Sequence, residues 1–317
     1  MRWRRCAALA CGPDMTETRP QDPRPLQGMR IGFAGLGLMG RPMALHLLEA
    51  GADLCVWNRS RDVAEHLLRP GMQICDTPAD LGRASAIVVL MVADTHAVDQ
   101  VLFGNQGLAQ GLDAGDLVVD MGTTSVMATR DFAGRLSQAG VDFVDAPVSG
   151  GEIGAVDASL TIMAGGDDAV IARARPLFDV LGRQFTHVGA VGAGQVAKAA
   201  NQIIVGLNIG AVAEALALVK AAGVDPRKVR QALLGGFAGS RILEVHGQRM
   251  IDAAFQAGAR ISTQYKDMRQ ASELGELLGQ PLPATRLSMS LFGQLIEQGD
   301  GDLDHSALIR VLRQADD

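Results

Sequence analysis

Three glycines, Gly35, Gly37 and Gly40, stand in the pattern GxGxxG directly after the apolar stretch MRIGFAG and at the start of a helix-like segment. In that setting each glycine has a separate task. The first permits a tight turn, the second lets the backbone approach a pyrophosphate, and the third lets the helix pack closely while its N-terminus faces the anion. The six residues Gly35, Leu36, Gly37, Leu38, Met39 and Gly40 are therefore expected to bind the phosphates of a dinucleotide. Outside a strand, turn and helix the same letters would be only a glycine-rich turn.

The chain around the fingerprint has the right alternation. Strand-like runs recur at DLCVWN, AIVVLMV (Ala86 to Val92), DLVVDMG (Asp116 to Gly122), VDFVDAP (Val141 to Pro147) and LTIMAGG (Leu160 to Gly166), with helical or loop stretches between them. Short, almost wholly apolar strands suit a largely parallel sheet covered on both faces. After Gly194 the strand signals stop. QVAKAANQIIVGLNIGAVAEALALVKAAG reads as one long helix ending at Gly223, and Asp225–Pro226 opens another. Further helices are expected over Pro226–Leu234, Arg241–Asp252, Ile261–Leu278, Pro283–Glu297 and Ser306–Gln314. The fold class is α/β: an N-terminal Rossmann doubly wound sheet over 29–193, then an all-α domain over 194–317 for substrate and dimerisation, joined by a long interdomain helix.

Length and charge narrow the partners. At 317 residues two domains of ordinary size are possible, each with its own core. A net charge of -6 with scattered arginines disfavours nucleic acid, whose binding depends on clustered Lys and Arg. The cysteines Cys6, Cys11, Cys55 and Cys75 have neither CxxC nor zinc-type spacing, which suggests a reducing compartment and a cytoplasmic protein. No uninterrupted apolar run reaches the roughly 18 residues of a membrane span. Residues 1–28 read as a disordered tail rich in prolines and charges. The apolar run there is short for a signal peptide, and Met1, Met15 and Met29 are alternative starts. The histidines are dispersed with no HExxH pattern, so no metal is expected.

The second strand ends VWNRS. An enzyme reading the ribose 2'-hydroxyl of NAD carries an acid at this point, and here there is none. Arg59 can neutralise a 2'-phosphate and stack on adenine, while Asn58 and Ser60 can donate hydrogen bonds to it, so NADP is expected, with NAD possible. The plain alternative is that Arg59 is a solvated loop cation. Met91, Val92 and Thr123 lie at or after strand ends, where the ligand crevice of such a sheet opens, and are expected cofactor contacts.

Four ordered motifs carry a family resemblance: FAGLGLMGRPMA (Phe33 to Ala44), DAPVSGG (Asp145 to Gly151), GQVAKAANQ (Gly194 to Gln202) and YKDM (Tyr265 to Met268). Between Met29 and Arg313 the chain resembles the 3-hydroxyisobutyrate dehydrogenase-like β-hydroxyacid dehydrogenases, relatives of 6-phosphogluconate dehydrogenase. Lys198 and Asn201, three residues apart on a helix, share a face. By itself Lys198 reads more readily as a snorkelling surface lysine. The resemblance implies instead that it is the general acid in reduction and the base in oxidation, with Asn201 a hydrogen-bond donor to substrate. It also makes Ser149, Gly150 and Gly151 a cradle for a substrate carboxylate, where the residues alone would suit a turn. Lys266 is implied to reach over the cofactor, where residue type alone suggests a charged helix face. One departure stands out: Ala158 sits where related sequences carry Gly.

Within the family, GGFAGSRILEVHGQRM (Gly235 to Met250) and DHSALIRVL (Asp304 to Leu312) look most like the branch that reduces tartronate semialdehyde to D-glycerate. 3-Hydroxyisobutyrate dehydrogenation is the runner-up, ahead of glyoxylate or succinic semialdehyde reduction and threonate oxidation. All take a small carboxylate-bearing substrate, and their differences at the pocket around Phe237 and Ser240 are worth only about 1–3 kcal/mol. A non-catalytic NADP-binding module and an imine reductase are the rival classes; the retained Lys198 and SGG cradle oppose both. Family members associate through the helical half, which implies a homodimer or homotetramer.

Overall fold

A computed structural model describes residues 24–312. Nine strands form one sheet: β1 (Arg30–Ala34), β2 (Asp53–Trp57), β3 (Met72–Ile74), β4 (Ile87–Leu90), β5 (Leu117–Asp120), β6 (Asp142–Asp145), β7 (Val148–Ser149), β8 (Leu160–Gly165) and β9 (Gly182–Gly189). Their order is β3-β2-β1-β4-β5-β6-β8-β7, with β9 paired to β8. The first six are parallel, β8 runs antiparallel to β6 and β7, and β9 runs parallel to β8. Between them lie α1 (Gly40–Glu49), α2 (Arg61–Leu67), α3 (Pro78–Ala84), α4 (Thr95–Phe103), α5 (Val126–Ser137), α6 (Gly151–Val156) and α7 (Asp168–Leu181). This is the doubly wound arrangement, and its strand order reverses between β1 and β4, where the ligand crevice of such sheets lies.

Strand composition explains the layering. β4 is IVVL and β5 is LVVD, and all eight residues are buried. Val89 and Val119 look to one face, where helices α1 and α7 pack; Val88 and Val118 look to the other, against Leu81, Val98 and Phe132. Each such side chain removed from water contributes about 1.5–3 kcal/mol. Three strands escape the sequence reading for physical reasons. β3 buries only Met72, β7 is two residues long, and β9 is an edge strand with exposed positions throughout.

The C-terminal region is helical: α8 (Ala193–Ala221), α9 (Pro226–Leu234), α10 (Arg241–Asp252), α11 (Ile261–Leu277), α12 (Pro283–Glu297) and α13 (Ile309–Leu312). Its starts are chemically marked. Asp225 caps α9 ahead of Pro226, and the Ser240 hydroxyl accepts the Leu243 N–H at the head of α10. The last helix differs from expectation: His305–Leu308 is a 3-10 turn held by Asp304, and α-helix begins only at Ile309. Expected residues beyond 312 lie outside those described.

Two expectations need correction. Residues 1–23 of the expected tail lie outside the described residues, but 24–28 pack on the fold: Leu26 is fully buried and its N–H donates to the Ala50 carbonyl. The proline-rich composition hid this single anchoring side chain. The second concerns membrane-span length. α8 is 29 residues long, with mean hydropathy 1.9 over its most apolar 18 residues, so by length and composition it meets the criterion. Its small and aliphatic residues pack against α10, α11 and α12, and the helix also carries Gln195, Lys198 and Gln202 inward. Packing against those helices covers one face of α8, while Val196, Ile204 and Leu218 remain exposed on another.

Candidate active site

The glycine loop joins β1 to α1 with the three positions clearly differentiated. Gly35 has φ +101, and a Cβ there would lie 2.3 Å from the Met91 carbonyl oxygen; at Gly40 it would lie 1.9 Å from that of Gly35. At Gly37 nothing lies within 4 Å of a Cβ. The first and third glycines are thus demanded by packing, whereas the second leaves open space over the loop. This is the cradle that a pyrophosphate needs at a helix N-terminus, so the residues present fit a dinucleotide. Leu38 and Met39 line the loop beside Gly37, with Leu38 exposed.

Leu36 and Asn58 are bonded to each other across the loop. The Leu36 side chain is buried in the core, and its N–H donates to Asn58 Oδ1 (2.9 Å). Asn58 Nδ2 in turn donates to the Ser60 carbonyl (2.9 Å). Asn58 therefore braces the glycine loop against the end of β2, a pairing across 22 residues that local spacing does not announce. Arg59 and Ser60 are both exposed, and Asn58 and Arg59 line a cavity of about 280 Å³ at the ends of β2 and β3. Met91 and Val92 follow β4 and Thr123 follows β5, all partly exposed at the same edge of the sheet.

The chemical centre forms where α8 meets the ends of β5, β6 and β7. Asp145, at the end of β6, accepts the N–H groups of Gly192 (2.7 Å) and Gln195 (2.8 Å) and so caps α8 from outside the helix. Burial pushes its pKa up to about 7, against the pull of those two N–H groups. Its neighbour Asp120 accepts from Thr124 Oγ1 (2.6 Å) and the Gly122 N–H (3.0 Å), and burial raises it to about 6. Gln195 links the two strands: Nε2 donates to the Gly122 carbonyl (2.9 Å) and Oε1 accepts the Thr124 N–H (3.1 Å). These bonds fix the first turn of α8.

Lys198 lies one turn further on. It is 8% exposed, and its Nζ donates to the Val148 carbonyl (2.8 Å) and to Gln202 Oε1 (3.1 Å). The surface-lysine alternative does not describe this side chain. Burial lowers its pKa from the ordinary lysine value, and the charge of Asp267 partly offsets that pull. Gln202 is the junction: Oε1 also accepts from Asn201 Nδ2 (2.7 Å), and Nε2 donates to Asp267 Oδ2 (2.6 Å). Gln264 closes the ring by donating to the Gln202 carbonyl (3.1 Å). Lys266 pairs with Asp267 (3.0 Å) and donates to the carbonyls of Ala93 (3.1 Å) and Thr123 (3.2 Å), joining α11 to the crevice.

Ser149 directly follows the carbonyl that Lys198 binds, and Gly150 and Gly151 continue with φ +135 and +60. The nearest atom to a Cβ on Gly151 would be the Gly258 carbonyl oxygen, 3.8 Å away in the helical domain. The SGG turn thus lies beside Lys198, through the Val148 carbonyl, and approaches Gly258 of the C-terminal helical region. Sequence reasoning missed Asp120, Gln195, Gln202 and Gln264 and gave Asp145 no site role of its own; Asp267, expected to fix Lys266 or pair locally, does pair with it and also accepts from Gln202. A carboxylate closing each of two consecutive strands, VVD and FVD, was the available signal.

The histidines also prove less dispersed than their spacing suggests. His246 and His305 approach to 3.2 Å between Nε2 atoms, and with Asp304 they form a cluster whose ligand-type atoms lie within 4.8 Å. Asp304, however, already accepts from Arg249 (2.5 Å), the N–H groups of Gly258, Ala259 and Ser306, and Ser306 Oγ. With a guanidinium on one oxygen, the cluster is built as an ion-pair hub that holds the Gly258 loop across from the SGG turn.

Known proteins share this architecture. The family model for the NAD binding domain of 6-phosphogluconate dehydrogenase matches residues 30–189, and that for the NAD-binding domain of NADP-dependent 3-hydroxyisobutyrate dehydrogenase matches residues 192–312. The chain is 48% identical to 2-hydroxy-3-oxopropionate reductase of Escherichia coli (strain K12), over 90% of this chain and 97% of that protein. It is also similar to the solved 3-hydroxyisobutyrate dehydrogenase of Salmonella typhimurium (27% identity, TM-score 0.82, covering 89% and 99%). Psf3, solved in complex with NADP+ and 2-OPP, is similar at 25% identity and TM-score 0.82, over 89% of this chain and all of that one. With an N-terminal dinucleotide fold, a buried lysine on α8 held at the end of β7 and two family models matching residues 30–189 and 192–312, the chain belongs to the NAD(P)-dependent β-hydroxyacid dehydrogenases, oxidoreductases acting on CH–OH groups.

Proposed function

We propose that the protein is an NADP-dependent tartronate semialdehyde reductase, also called 2-hydroxy-3-oxopropionate reductase, producing D-glycerate with Lys198 as general acid. The observation that carries the chemistry is the buried Nζ of Lys198, held by the Val148 carbonyl and Gln202 at the mouth of the SGG turn. The substrate assignment leans on the 48% identity to the Escherichia coli enzyme. Gly35, Gly37, Gly40, Arg59, Ser60, Met91, Val92 and Thr123 would hold the coenzyme, which when bound supplies the hydride. Ser149 with the N–H groups of Gly150 and Gly151 binds the substrate carboxylate, and Asn201 orients the remaining oxygen. Lys198 donates its proton to the aldehyde oxygen as negative charge grows there, and the neutral amine that remains is the base for the reverse reaction.

A lowered lysine pKa suits this task, because a proton donor works best when its pKa lies near the operating pH. Gln202 holds the ammonium in place, and the charge of Asp267 tempers the lowering by burial. The 2'-phosphate assignment follows from Arg59 and the absence of an acid after β2. The free thiols of Cys55 and Cys75 accord with a cytoplasmic setting. Val196, Ile204 and Leu218 lie exposed on α8 and are the proposed contact between subunits of a homodimer or homotetramer. 3-Hydroxyisobutyrate dehydrogenation is the second reading, favoured by the likeness to the Salmonella structure.

The test is coenzyme absorbance with purified protein offered tartronate, methylmalonate and succinic semialdehydes and glyoxylate, each with NADPH and with NADH. Fastest NADPH oxidation with tartronate semialdehyde is expected. A preference for methylmalonate semialdehyde would move the protein to the second reading, and turnover with none would remove the reductase assignment.

A further inference from the structure

The cavity beyond β2 holds more charge than the coenzyme reading uses. It is lined by Asn58, Arg59 and Arg61 from the β2 side and by Asp76 and Thr77 from the end of β3. Arg61 is not free to meet a ligand. Its guanidinium bonds Glu65 Oε1 (2.9 Å) and also Asp76 Oδ1 in a very close contact. Arg59 makes no ion pair among the described residues. An incoming 2'-phosphate would thus find one available guanidinium, one already neutralised, and a carboxylate on the opposite wall.

We propose that Asp76 is a specificity-determining residue for the coenzyme: it holds Arg61 away from the ribose 2'-phosphate and repels that phosphate, keeping the preference for NADP weaker than the two arginines would otherwise make it. This inference rests on the reading of the cavity as the adenosine end of the coenzyme site. A carboxylate and a phosphate in one solvent-facing cavity interact within a Debye length, so the effect is a modest factor and falls with salt. The Asp76 side chain is 74% exposed, which limits the expected gain on its removal to about threefold to fivefold. That same exposure makes the substitution safe for folding.

The experiment is calorimetric titration of the full chain with adenosine 2',5'-bisphosphate and adenosine 5'-monophosphate, two probes that differ only in the 2'-phosphate. Asp76→Asn should tighten the bisphosphate by about threefold to fivefold at low salt and change the monophosphate by less than about twofold. In an Arg61→Ala background the gain should shrink, because only the direct repulsion is left to remove. Equal changes for both probes, or none, would overturn the role of Asp76. Wild-type protein that binds both probes equally would count against the NADP reading, and Asp76 would then stand only if Asp76→Asn created a preference for the bisphosphate.

Discussion

Gly37 and Gly40 offer a paired test of how the glycine loop works, since both become alanine at the cost of one methyl group. At Gly40 the methyl carbon would lie 1.9 Å from the Gly35 carbonyl oxygen, inside any permitted contact, so α1 must move away from the loop. Overpacking of that kind costs about 1–3 kcal/mol or more. For a chain of this size that lowers Tm by roughly 2–10 °C. At Gly37 the methyl meets nothing within 4 Å, so Gly37→Ala should fold normally and gain up to about 1 kcal/mol from reduced unfolded-state entropy. On the proposed reading the coenzyme pyrophosphate approaches through that open space, and the methyl should weaken NADPH about 10- to 100-fold. At a coenzyme concentration 100 times the wild-type Kd, binding stabilises wild-type protein by about 2.7 kcal/mol; the variant would retain only about 1.4 to 0.4 kcal/mol. Thermal unfolding with and without NADPH separates the cases. A Gly37→Ala protein with the full wild-type coenzyme shift would refute the placement of the pyrophosphate over that glycine.

Three further outcomes follow from the same geometry. Ala158 has φ +48, a left-handed conformation costing about 1–2 kcal/mol for a residue with a Cβ; after the added unfolded-state entropy of glycine, Ala158→Gly should stabilise the protein by about 0.5–1 kcal/mol, and a lower Tm would contradict this. Gln202→Leu removes the group between Lys198 and Asp267, and should cut kcat about 10- to 100-fold while leaving NADPH affinity within about threefold, as read by steady-state kinetics and coenzyme titration. The lowered pKa of Lys198 sets the pH profile. Reduction needs the ammonium, so kcat for reduction falls as pH rises through a value below the 10.5 of a free lysine, and oxidation rises over the same interval. Profiles that move together in both directions would contradict a single lysine serving as acid and base.

Most of the fold was legible because its signals are local. The GxGxxG turn, the buried runs IVVL and LVVD, and the Asp225–Pro226 and Ser240 helix starts each depend on neighbours within a few residues. What stayed hidden depends on partners far along the chain. Leu26 is core only because it meets the turn after α1. The brace from Asn58 to Leu36 spans 22 residues. Gln202 and Asp267 are 65 residues apart and meet only once α8 and α11 pack. Lys198 was legible through its motif, whereas its burial and its hold on Val148 could come only from the assembled domains.

The central claim is that Lys198 supplies the proton in reduction of a small carboxylate-bearing aldehyde. Its most direct test is single-turnover absorbance at the nicotinamide band, with NADPH and tartronate semialdehyde, on wild-type protein and Lys198→Ala. Because Lys198 lies outside the glycine loop and the Arg59 cavity, the variant should bind NADPH with near wild-type affinity yet oxidise it at least about 100-fold more slowly, in keeping with loss of a general acid. NADPH oxidation at the wild-type rate in Lys198→Ala would contradict the account.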